Sequence, residues 1–269
     1  MPFTAQDLVN IGKNQSPQLW FNATLPVGAN PGAATILATS KANFGMPAIG
    51  IQIVAKFRAT VAVAAYTTIN AETFQNLFSA IKFTGTRTVG GSVSPWTGSA
   101  ATLFALNNMF KQGRGGVLQI NGTRYPQLST PLPLLSAPLA IATYDVIVKW
   151  YVPFAPFGVP NPLLEAIYAQ RDSDWNRTFS VELDFPSFAG TSDPFGSKGV
   201  SGTIAFTAFG SSSGAGVVNV YTIPVLQAGR GWSLTSKFSS GFLQRNVVGG
   251  LSLATSGTNV VPWGAFVIL

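Results

Sequence analysis

The chain contains neither cysteine nor histidine among its 269 residues. Without cysteine there is no disulfide framework and no thiolate nucleophile, and the redox compartment is left open. Without histidine the commonest general base near neutral pH is gone. With both missing, the usual zinc sites and the usual partner of a nucleophilic serine go as well. Charge is also scarce: Asp, Glu, Lys and Arg make up 9% of the residues and apolar types 46%, where soluble domains average about 25% charged. A surface this poor in charge is expected to be covered by something.

A membrane is the first candidate for the cover, since mean hydropathy is +0.31. A spanning helix needs a run of about 18 or more apolar residues, and none is present. The stretch from Ile51 to Tyr66 is interrupted by Lys56 and Arg58, and Pro131 to Thr143 is short and holds three prolines. The opening residues, Met1-Pro2-Phe3-Thr4-Ala5-Gln6-Asp7, lack the basic start and apolar core of a secretion signal. Four Asn-x-Ser/Thr sequons, at Asn14, Asn22, Asn121 and Asn176, are weak signals without a secretory route. Burial against protein is the remaining expectation.

The formal net charge of +7 is uneven: residues 1–144 hold nine basic and two acidic side chains, and no acid follows Asp193. The cations are spread singly along the chain and form no Lys/Arg cluster, so no specific nucleic-acid binding is expected.

Glycine (28) and proline (18) divide the sequence into short β-branched and aromatic runs, the pattern of many strands joined by turns. Strands are predicted at Leu19–Leu25, Ala34–Thr39, Ile49–Tyr66, Phe78–Val89, Val117–Ile120, Tyr144–Val152, Thr178–Phe185, Gly202–Phe209, Val217–Ile223, Ser233–Phe238, Val247–Ala254 and Val260–Val267. The alternation is clean in Phe179, Val181, Leu183 and Phe185, with Ser180, Glu182 and Asp184 on the other face. Helices are expected at Ala5–Ile11, at Ala71–Leu77 after an Asn70 cap, and at Ala100–Lys111 ending at Gly113, with a further turn over Pro162–Ala169. Long Pro/Gly-rich loops between short strands suit the ends of a jelly roll.

Three patterns invite a chemical reading. The acids Glu165, Asp172, Asp174, Glu182 and Asp184 are the place where a carboxylate pair would work without histidine. Glu182 and Asp184, however, lie on the polar face of an amphipathic strand, with Arg171 and Arg177 near in sequence, which reads as a solvated rim. Asp172-Ser173-Asp174 lacks the glycine and distal glutamate of a calcium loop. Gln112-Gly113-Arg114-Gly115-Gly116 follows a helix and precedes a strand, the wrong order for cradling phosphate. The tryptophans, Trp20, Trp96, Trp150, Trp175, Trp232 and Trp263, are either a stacking platform for sugars or core and interface anchors, Trp175 being the one expected at the surface. No catalytic, cofactor-binding or metal-ligating residue is assigned, and no cofactor is expected.

The stretch from Tyr144 to Phe185 carries a strand ending in Trp150-Tyr151-Val152-Pro153-Phe154, then Asn161-Pro162-Leu163-Leu164-Glu165-Ala166-Ile167, then Phe179-Ser180-Val181-Glu182-Leu183. Upstream stand Ile49–Val63 and Phe74-Gln75-Asn76-Leu77-Phe78-Ser79-Ala80-Ile81-Lys82-Phe83. In order and spacing these segments resemble the double jelly-roll major capsid proteins of icosahedral viruses or bacteriophages with an internal membrane. The resemblance implies an all-β jelly-roll sandwich, in double form, with a few short helices. It also implies trimeric capsomers of pseudo-hexagonal outline that self-assemble into a shell, minor capsid or spike partners, and an N-terminal arm touching an internal lipid membrane. The corresponding division of the chain is an arm at 1–17, a first roll at 18–224 and the start of a second β region at 225–269.

Low charge, abundant turn residues and missing catalytic side chains all fit a non-enzymatic subunit of a closed symmetric shell, which buries one weakly charged surface many times over. A carbohydrate-binding β-sandwich, as in a viral spike or an adhesin, is the alternative.

Overall fold

The computed structural model describes residues 17–26, 28–29, 32–40, 48–61, 71–87, 92–110, 116–125, 141–153, 175–188, 204–207 and 216–224. Twelve strands are described: β1 (Gln18–Thr24), β2 (Gly28–Ala29), β3 (Ala34–Ser40), β4 (Ala48–Val61), β5 (Ala80–Arg87), β6 (Ser92–Gly98), β7 (Val117–Ile120), β8 (Thr123–Tyr125), β9 (Ala142–Pro153), β10 (Trp175–Phe185), β11 (Ile204–Thr207) and β12 (Val217–Pro224). One α-helix, α1, spans Ala100–Phe110, and Ala71–Asn76 forms a 3-10 helix.

The strands form two sheets in which every described pairing is antiparallel. The larger runs β1-β12-β4-β9-β7-β8, and the smaller runs β3-β10-β5-β6. If β1, β3, β4, β5, β6, β9, β10 and β12 are lettered B to I in chain order, the sheets read B-I-D-G and C-H-E-F. That is the strand order of a jelly roll. The short strands β11 and β2 prolong the lanes of β12 and β1: β11 continues along β4 from Arg58 to Val61, and β2 pairs with β11.

Alternation along each strand places the core between the sheets. Ile51, Ile53, Ala55, Phe57 and Ala59 of β4, Val146, Val148, Trp150 and Val152 of β9, and Val218 and Val220 of β12 face Phe179, Val181, Leu183 and Phe185 of β10 and Ile81 and Phe83 of β5. Phe83 and Phe179 stack with centroids 5.9 Å apart. At the end of the sandwich reached by the 3-10 helix, Phe57, Phe74, Phe185, Phe188 and Phe206 form an aromatic plug, with Phe188 and Phe206 edge-to-face at 4.9 Å. Each such ring contributes about 1.5–3 kcal/mol through removal from water.

Helix α1 starts where Ser99 caps it: Ser99 Oγ accepts from the Thr102 amide at 3.1 Å, and the Ser99 carbonyl accepts from the Leu103 amide. Its Ala100, Leu103, Phe104 and Leu106 side chains join the core.

Some expectations are corrected. The segment expected as a helix over Ala71–Leu77 is a 3-10 helix at Ala71–Asn76, which delivers Phe74, Leu77 and Phe78 into the core within two short turns. Strand β6 is not among the expected strands, and it contains Pro95. The proline is accommodated because β6 is an edge strand and the register shifts around Pro95. Strand β8 was also missing, although Asn121-Gly122 announces it: both residues have positive φ, 49° and 81°, and close a two-residue hairpin. The expected helices at Ala5–Ile11 and Pro162–Ala169, and the expected strands at Ser233–Phe238, Val247–Ala254 and Val260–Val267, lie outside the described residues.

Candidate functional surfaces

Functional groups on a sandwich sit on its outer faces, its edges or its ends. On the outer face of the small sheet, Ser180, Glu182 and Asp184 alternate with the buried row of β10. Glu182 stands opposite Lys82 in the ladder, and the Asp184 carboxylate accepts a 3.3 Å hydrogen bond from Thr35. This is the polar rim the alternation requires. Of the other members of the acidic group, Glu165, Asp172 and Asp174 lie outside the described residues. Among the described residues no three Asp or Glu side chains gather as metal ligands would.

The tryptophans divide by position. Trp96 and Trp150 are fully enclosed, and Trp20 packs against the same core through an edge contact with Phe83 at 6.3 Å. They act as anchors, and neither Trp96 nor Trp150 is available to stack on a sugar. The Trp175 side chain, Trp232 and Trp263 lie outside the described residues, as does Arg114 in its glycine run.

The outer face of the large sheet has two unlike halves. Towards the β11 end, the Arg58 guanidinium grips Asp145 through two hydrogen bonds, Nε–Oδ1 at 2.7 Å and Nη2–Oδ2 at 3.2 Å. Hydrogen bonding to Asp145, then its charge, raises the Arg58 pKa. Thr60 and Thr143 pair beside it at 2.9 Å. Towards the other end the outward positions are Ile223, Gly50 and Pro153 in one row, Tyr221, Gln52 and Tyr151 in the next, and Asn219, Val54 and Lys149 in the third.

Strand β9 also shows how an interior edge is finished. Its outward backbone groups pair with β7 over Val146 to Lys149. Beyond one end of β7, Asn121 continues the ladder: its amide donates to the Asp145 carbonyl and its Oδ1 accepts from the Asp145 amide, both at 2.8 Å. Beyond the other end, Asn107 from α1 does the same for Tyr151 with its side chain alone, at 2.7 and 2.8 Å.

Two of the sheet edges are uncharged: β1 reads Gln-Leu-Trp-Phe-Asn-Ala-Thr and β3 reads Ala-Thr-Ile-Leu-Ala-Thr-Ser, whereas the edge strand β8 carries Arg124. Leu19 of β1 is 56% exposed.

Fold and surfaces together define a jelly-roll β-sandwich. No protein-family model matches the sequence, and no curated protein matches it. Among solved structures, the chain is similar to one of a Sulfolobus turreted icosahedral virus, at 13% identity and a TM-score of 0.38, covering 77% of this chain and 46% of that one. It is likewise similar to a crystal structure of that virus's major capsid protein, at 12% identity and a TM-score of 0.35, covering 77% and 49%. This chain therefore spans just under half the length of each.

Proposed function

We propose that this protein is a viral capsid subunit, non-enzymatic and located in the virion, whose jelly roll builds an icosahedral shell by packing against copies of itself. The observation that carries the proposal is a complete B-I-D-G and C-H-E-F strand order in a chain with only 9% charged residues. Closed shells repeat one contact many times, and a sparsely charged surface lowers the desolvation cost of each contact. The ladders of β4, β9 and β12 give the wall a continuous hydrogen-bonded plane, and the uncharged edges β1 and β3 offer backbone and apolar surface to neighbours. The finer reading is a trimeric capsomer, with minor capsid or spike proteins as partners and residues 1–17 as an arm towards an internal lipid membrane.

Light scattering on the purified chain at low and at near-molar salt tests this. A species of three times 28.3 kDa, or a larger shell, that persists in salt is expected, because screening weakens only exposed charge contacts. A monomer under both conditions overturns the proposal.

A further inference from the structure

The turn between β7 and β8 is built on Asn121-Gly122, the only place in the chain where glycine follows asparagine. This pair is chemically prone to lose the asparagine amide, because glycine has no Cβ to hinder its own nitrogen. In that reaction the Gly122 nitrogen attacks Cγ of Asn121, the Cγ–Nδ2 bond breaks, and the amide leaves as ammonia, taking up the proton that the Gly122 nitrogen gives up. Water then opens the five-membered imide at either carbonyl. The products are aspartate and its isomer, in which the main chain runs through the former side-chain carbon. No oxidant or cofactor is required.

Both residues are exposed, so water reaches them. The closed turn nevertheless keeps the reacting atoms apart. Asn121 has φ 49°, in the left-handed region where ψ is about +47°. At such a ψ the Gly122 nitrogen lies nearly opposite Cβ of Asn121 about the Cα–C bond, whereas ring closure needs the two on the same side. The side chain is also held away: Oδ1 accepts from the Asp145 amide and the Asn121 amide donates to the Asp145 carbonyl, both at 2.8 Å. Attack at Cγ therefore requires the turn to rotate and the Oδ1 contact to break. Strand β8 ends the large sheet, pairs with β7 alone among the described strands, and exposes Thr123 and Arg124. A hairpin so placed opens locally at low cost.

We propose that Asn121 is a deamidation site gated by the β7–β8 hairpin, intact while the turn is closed and converted when it opens. The isomerised product carries an extra main-chain atom where a two-residue turn has no room for one, and the carbonyl that held the Asp145 amide is now part of the main chain. Conversion by that branch makes the opening permanent. The inference is independent of the capsid reading, since it concerns the single subunit.

The full chain is held at mildly alkaline pH, folded or unfolded in guanidinium chloride, and the tryptic peptide Gly115–Arg124 is followed by mass and by isoaspartate content against its time-zero digest. Conversion at Asn121 is expected to be at least about tenfold faster in the unfolded chain. Across a series of guanidinium concentrations too low to unfold the protein, conversion should rise in parallel with hydrogen exchange of the Asn121 amide. In the converted protein the amides of Thr123–Tyr125 should exchange faster than in the parent. Equal rates in the folded and unfolded chain, or folded-state conversion that does not follow exchange, would overturn the gate. An unfolded chain that keeps the amide would overturn the site, and unchanged exchange in the isomerised protein would overturn its effect on the hairpin.

Discussion

Asn107 of helix α1 replaces a β-strand for Tyr151: its side-chain amide donates to the Tyr151 carbonyl and accepts from the Tyr151 amide, as a neighbouring strand would. The need arises because β7 stops at Val117, opposite Lys149, while β9 runs on to Pro153. A buried backbone pair left without partners costs about 1–3 kcal/mol per group. Asn107, 2% exposed, is the helix residue that meets both requirements at once.

Asn107→Ala is therefore expected to destabilise the fold by roughly 2–4 kcal/mol, read as a lower urea midpoint at unchanged slope. Asn107→Asp should be worse at pH 7 than at pH 4, because an ionised carboxylate cannot donate to the Tyr151 carbonyl and its charge is buried. Equal stability of the Ala variant and the parent would show that the pair is replaced by water without loss.

Gly50 makes room for the Tyr151 ring. Gly50→Ala should cost about 1–3 kcal/mol by overpacking, and should cost little in a Tyr151→Ala background. The double-mutant cycle then gives a coupling of the size expected for residues in contact. Additive effects would mean that the ring moves aside freely.

Phe206 connects three rings of the aromatic plug, Phe57, Phe185 and Phe188. Phe206→Ala is expected to lose about 3–5 kcal/mol through cavity formation, whereas Phe206→Leu should lose markedly less. Thermal unfolding of the two variants provides the comparison.

Burial raises the Tyr144 phenol above its ordinary pKa, and the nearby Tyr125 adds to the shift. The folded protein then holds this proton to higher pH than the unfolded chain does. Stability from this source is intact below about pH 10, where the unfolded phenol begins to ionise, and declines as pH rises from there to the folded value. Tyr144→Phe should remove that share of the alkaline loss. Urea midpoints at pH 9 and pH 11 should fall less in the variant than in the parent.

Much of the sandwich is legible along the strands because each face repeats every second residue. Phe179, Val181, Leu183 and Phe185 identify the inner face of β10 from sequence alone, and the structure buries all four. The hairpin between β7 and β8 is equally legible in Asn121-Gly122, since those residue types tolerate the positive φ of the tight turn. Strand β6 is not, because Pro95 is acceptable only on an edge, and edge position is a property of the assembled sheet. The polar role of Glu182 and Asp184 is foreseeable from alternation, but the facing of Glu182 and Lys82 is not.

By itself the sequence determines that this protein is all-β, that chemistry based on cysteine or histidine is impossible, and that its scarce charge calls for cover, because these follow from residue types and local periodicity. Only the tertiary structure decides that β1 lies beside β12, about two hundred residues away, that Asn107 completes the edge of β9, and that the Tyr151 ring lies over Gly50. Those relations depend on which segments meet in space. A strand carries a face but no address, and its partner is fixed only when both sheets bury their apolar faces together.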